Sequence, residues 1–151
     1  MIRGLLLGTP PYRRPYITAR VALPAQSITG EVPFLVDTGA DTTLLAPTDA
    51  LRLGIDVAAL PRGVSTTGVG GTTPTAIAAM TITLGTAPYT LTARILRPAT
   101  PAQRRTLSRI PSLLGRDILA HFALFLEDAT DDTSPHDALR IWAVRLTDDR
   151  L

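Results

Sequence analysis

The chain has 151 residues, 45% of them hydrophobic, with 15 basic and 13 acidic side chains and a formal net charge of +2. It contains no cysteine, which excludes disulfides, thiolate metal sites and a cysteine nucleophile, and His121 and His136 are too few for a multi-histidine metal centre. Aromatic residues make up only 5%, so base-stacking platforms are not expected, and the small net charge gives no case for nucleic acid as a partner.

The length is that of one domain, placed at residues 16–151 behind an irregular, proline-rich N-terminal segment, 1–15. The apolar run Leu5-Leu6-Leu7 breaks at Gly8-Thr9-Pro10-Pro11, too soon for a signal peptide. No stretch approaches the roughly 18 apolar residues that span a bilayer, so the expectation is a soluble, cytoplasmic protein without a membrane partner. Tyr16 to Leu23 reads as a strand, Pro24 to Gly30 as its turn, and Glu31 to Val36 as a second strand. Pro47 to Leu53 fits a short helix, with Pro47 tolerated in its first turn and Gly54 ending it. Met80, Ile82 and Leu84 alternate with Thr81 and Thr83. After a turn at Gly85 to Pro88, Tyr89, Leu91, Ala93 and Ile95 alternate with Thr90, Thr92 and Arg94, which makes two half-buried strands. Arg94, Arg97, Arg104, Arg105 and Arg109 read as ordinary exposed arginines. Arg116 to His121 fits a second short helix, and Phe122 to Leu126 and Leu139 to Leu146 are further strands. The acidic segment Asp128 to Asp137 between them reads as a solvated loop.

Chemistry concentrates in Phe34-Leu35-Val36-Asp37-Thr38-Gly39-Ala40-Asp41. A strand delivers Asp37 into a turn of small residues, and Gly39 permits close approach of a backbone or ligand. Asp-Thr-Gly alone is also a common Asx-type turn; the apolar lead-in and the Ala40-Asp41 that follow make it specific. Two further segments stand out. One is the glycine-rich Thr66-Thr67-Gly68-Val69-Gly70-Gly71-Thr72, and the other is Ile110-Pro111-Ser112-Leu113-Leu114-Gly115-Arg116-Asp117. A phosphate-cradling reading of the first fails, because no Lys-Ser or Lys-Thr follows it.

In these three segments, taken in order, the chain resembles the retropepsin-like aspartic proteases, a single-lobe group, and looks more like its non-viral members. The resemblance runs from about Tyr16 to Leu146 and implies an all-β acid-protease barrel with one or two short helices. It implies an aspartic endopeptidase with Asp37 as catalytic residue, Thr38, Gly39, Ala40 and Arg116 supporting the loop, and no cofactor or metal. Gly39, Asp41 and the flap residues Gly68, Val69 and Gly70 would bind a peptide or protein substrate. Asp41 would pair with Arg116, expected to be partly buried, whereas Asp117 is read as a helix-start carboxylate. Ala40 stands where two-lobed relatives often carry Ser or Thr. Ala46 to Asp56 inserts a helix that the smallest viral members lack. Only one Asp-Thr-Gly is present, so the second carboxylate has to come from another copy, and the resemblance implies a homodimer. The alternative is a non-catalytic retropepsin-like module that binds peptides or dimerises without cleaving.

Overall fold

The computed structural model describes residues 2–9, 12–68, 71–127 and 140–145. Among them the chain is mostly strand. β3 (Arg14–Leu23) and β4 (Ile28–Val36) form an antiparallel pair joined by a 3-10 turn at Pro24–Gln26. β7 (Gly71–Leu84) and β8 (Ala87–Leu96) form a second such pair. The period-two pattern of β7 works as expected: Met80, Ile82 and Leu84 are buried while the threonines between them are half-buried.

Short strands complete the sheet. β5 (Leu44–Leu45), β6 (Arg62–Gly68) and β9 (Ser112–Leu114) join β2 (Leu5–Leu7) in the strand order β2-β3-β4-β9-β5-β8-β7-β6. β3 also pairs with β7, with Val21 opposite Ile82, so the sheet curls back on itself as a barrel. A second sheet of order β1-β11-β10 is built from β1 (Ile2–Arg3), β11 (Arg140–Arg145) and β10 (Phe122–Glu127). The barrel interior is filled by Ile17, Val21, Phe34, Leu45, Ile95 and Leu114 among others. Full burial of each such side chain stabilises the fold by about 1.5–3 kcal/mol.

Three short α-helices lie among the described residues. α1 (Pro47–Leu53) has the expected bounds, from Pro47 at its start to Gly54 at its end. α3 (Arg116–Leu119) stops two residues short of the expected His121. α2 (Pro101–Leu107) was not anticipated. It starts where Thr100 Oγ1 accepts the Gln103 N–H at 3.1 Å, and it buries Leu107 against Leu44 and Leu96 in a small core of its own.

The N-terminal segment also departs from expectation. Residues 1–15 are not irregular throughout: β1 pairs with β11, β2 pairs with β3, and β3 itself begins at Arg14. Ile2 and Leu6 pack on the main core, which gives these short strands their reason to form. The acidic segment 128–137 lies outside the described residues, as do Val69 and Gly70. Among the described residues no helix is long and apolar enough to cross a membrane.

Candidate active site

β4 delivers the first component. Val32, Phe34 and Val36 face the core and anchor the strand, which ends where Asp37 turns out of the sheet. The Asp37 N–H donates to the Leu114 carbonyl at 3.1 Å, extending the parallel pairing of β4 with β9 by one bond. The loop then closes on itself. The Gly39 N–H donates to Asp37 Oδ1 at 2.9 Å, and the Ala40 N–H donates to the Asp37 carbonyl at 3.2 Å. The half-buried Asp37 carboxylate is thereby held by one oxygen, and Oδ2 bonds to no described residue. Thr38 is exposed, and its hydroxyl has no partner among the described residues.

α3 supports this loop from beneath. The Arg116 N–H donates to the Ala40 carbonyl at 2.9 Å, and the Asp117 N–H donates to the Asp41 carbonyl at 3.3 Å. The Asp117 carboxylate accepts from the Thr43 N–H at 2.8 Å and from the Thr43 hydroxyl at 2.7 Å. The Thr43 oxygen in turn accepts the Gly115 N–H at 3.1 Å. Gly115 is obligatory here, because a Cβ would stand 2.5 Å from the Thr42 carbonyl carbon and 2.8 Å from the Thr43 nitrogen. A side chain at that position would push the loop off the helix.

Arg116 and Asp41 are brought into contact, the guanidinium Nη2 donating to Asp41 Oδ1. Their side chains are 61% and 78% exposed, so the pair is a surface one within the chain and not the partly buried pair expected. Water solvates both charges almost as well apart as together, which limits such a pair to about 0–1 kcal/mol.

β6 and β7 form a hairpin, with Gly68 opposite Gly71 and Thr67 opposite Thr72. Gly71 has a φ of +106°, a backbone that side chains with a Cβ rarely adopt, and this suits a tight reversal. Across the hairpin, the Thr67 and Thr72 hydroxyls lie 3.1 Å apart. Of the expected tip residues, Gly68 is an exposed end of β6, while Val69 and Gly70 lie outside the described residues.

A family described as aspartyl protease matches residues 27–118, which include the Asp37 loop, the hairpin and the start of α3. The chain belongs to the aspartyl protease family. Two solved structures show the barrel of this family member to be retropepsin-like. A retropepsin-like aspartic protease from Rickettsia conorii is 18% identical, with a TM-score of 0.54, covering 95% of this chain and 92% of that one. EIAV protease complexed with the inhibitor HBY-793 is 23% identical, with a TM-score of 0.53, covering 76% of this chain and 92% of that one. No curated protein matches.

Two contacts of this aspartyl protease chain escaped the reading of its sequence. Asp117 stands in the first turn of α3, as expected, and its carboxylate is also the acceptor that fixes Thr43 behind the Asp37 loop. Ser112, the first residue of β9, is fully buried against the start of α1, donating to Asp49 Oδ2 at 2.6 Å and accepting the Ala46 N–H at 3.0 Å. Both are hydroxyl–carboxylate pairs distant in sequence. The available signal was a hydroxyl residue directly before each apolar pair, Thr43 before Leu44-Leu45 and Ser112 before Leu113-Leu114.

Proposed function

We propose that the chain is an aspartic endopeptidase that works as a homodimer, with Asp37 of each copy supplying one of two catalytic carboxylates. The observation that carries this reading is the Asp37 loop of an aspartyl protease family member, which presents one carboxylate with one oxygen uncommitted among the described residues. Two carboxylates held together do not both ionise, so they share a proton. The ionised one takes a proton from a water lying between them, and the protonated one donates to the carbonyl oxygen of the scissile peptide as the water oxygen bonds to carbon. Collapse of the tetrahedral adduct breaks the C–N bond, and the amine leaves with a proton from the pair. A two-fold axis beside the loop brings the second Asp37 into place. Thr38, whose hydroxyl has no partner among the described residues, would bond across that axis.

The β6–β7 hairpin serves as the flap, with backbone groups of Gly68, Val69 and Gly70 meeting substrate carbonyls. Gly39 and Asp41 meet substrate N–H groups from below, and Arg116 holds Asp41 in position. The catalytic unit is one domain, 16–151 together with the N-terminal strands that pair with it, and a cytoplasmic setting belongs to the same reading. The test is Asp37→Asn, which keeps shape and removes the ionisable group. Cleavage of a peptide library by the wild type and none by the variant, at equal dimer content, is the expected result. Cleavage retained by the variant would refute the assignment.

A further inference from the structure

A groove of about 580 Å³ lies at the root of the β6–β7 hairpin, and its charge does not match a purely apolar substrate. Its form follows from Pro74. Proline has no N–H to donate, and the β6–β7 register slips between Gly63 and Thr66, leaving Val64 and Ser65 bulged opposite it. The Pro74 carbonyl instead accepts the Arg97 N–H at 2.9 Å, where β7 parts from β8. The bulge forms one wall of the groove, and Arg97, Pro98 and Ala99 form the other.

Arg62 enters from the hairpin side and Arg97 from the barrel side. No carboxylate lines the groove, and among the described residues neither guanidinium has an ion-pair partner. Arg97 is half-buried, its position fixed by the backbone bond to Pro74. The Ser65 hydroxyl is a third donor at the same wall, uncommitted within the described residues. Two like charges and a hydroxyl converging on an open groove make an anion site, and the planar guanidinium fork matches a carboxylate.

We propose that this groove is a specificity subsite for an acidic side chain, glutamate or aspartate, of the peptide substrate. The inference rests on the protease reading of Asp37. No residue of the Asp37–Asp41 loop lines the groove, so the acid flanks the scissile bond and is not one of the residues forming it.

Binding tests this separately from cleavage. Asp37→Asn protein is titrated into short dye-labelled apolar peptides that carry a single glutamate, with its position scanned, and into their glutamine twins. At one or more positions the glutamate peptide should bind at least about tenfold tighter, the size of one charge-assisted contact. Arg62→Gln or Arg97→Gln, each added to Asp37→Asn, should erase that difference while leaving the glutamine twin's binding unchanged. Equal binding of the twins overturns the proposal, as does a preference that survives both arginine substitutions. Binding of inorganic phosphate without any glutamate preference also overturns it, marking a free-anion site instead. Cleavage of the same peptides by wild-type protein reports on the protease reading alone.

Discussion

The Asp37 loop and the β6–β7 hairpin use the same side chain to opposite ends. Thr43, behind the loop, is buried and joined to Asp117 and Gly115 by three hydrogen bonds. Thr67, in the hairpin, is exposed, and among the described residues its hydroxyl meets only the Thr72 hydroxyl. The loop is fixed from beneath by the first residues of α3, whereas most of the β6 arm has no cover. On the proposed function, a water held between carboxylates needs fixed oxygens, and substrate entry needs a part that opens at little cost.

Matched substitutions put numbers on this contrast. Thr43→Val keeps volume but leaves the buried Gly115 N–H without its acceptor and takes from the Asp117 carboxylate the shorter of its two bonds to residue 43, the backbone N–H bond remaining. It should destabilise the chain by about 2–3 kcal/mol in urea unfolding. A loss under about 0.5 kcal/mol would mean that water replaces the hydroxyl and the loop is not locked from below. Arg116→Ala should come next, at or below about 1 kcal/mol, because the Asp41 pair is exposed in the chain. A loss of about 3 kcal/mol or more would show the pair to be buried in the assembled protein. Smallest of all is Thr67→Val, the same chemical change as at Thr43, which should stay within about 0.5 kcal/mol. Equal losses at Thr43 and Thr67 would abolish the distinction between the two regions.

Much of this was legible in the sequence, and the remainder was not for physical reasons. α1 was readable to the residue because Pro47 and Gly54 are chemical stops at its two ends. β7 and β8 were readable because a long alternation cannot suit a helix. β5 and β9 have two and three residues, so they carry no period, and their partners are distant in sequence. β1 and β2 escaped for the same reason. α2 did carry a local signal, Thr100-Pro101-Ala102-Gln103 with the spacing of a capping box, but Arg104 and Arg105 drew the eye to charge instead. In the site, the pairing of Asp41 with Arg116 was legible from the motif, while its exposure was not, because burial depends on neighbours that no local pattern names. Asp117 does stand in the first turn of α3, as expected, but its partner Thr43 is 74 residues away and no local pattern names it.

A shared active site is tested most directly by mixing subunits. Wild-type and Asp37→Asn chains are combined in equal amounts under conditions where size exclusion shows that subunits exchange. Random pairing leaves about a quarter of dimers with two intact aspartates, so activity per wild-type chain should fall to about half. A wild-type rate unchanged by the inactive partner after exchange would place the whole active site within one chain, and the two-copy mechanism would be wrong.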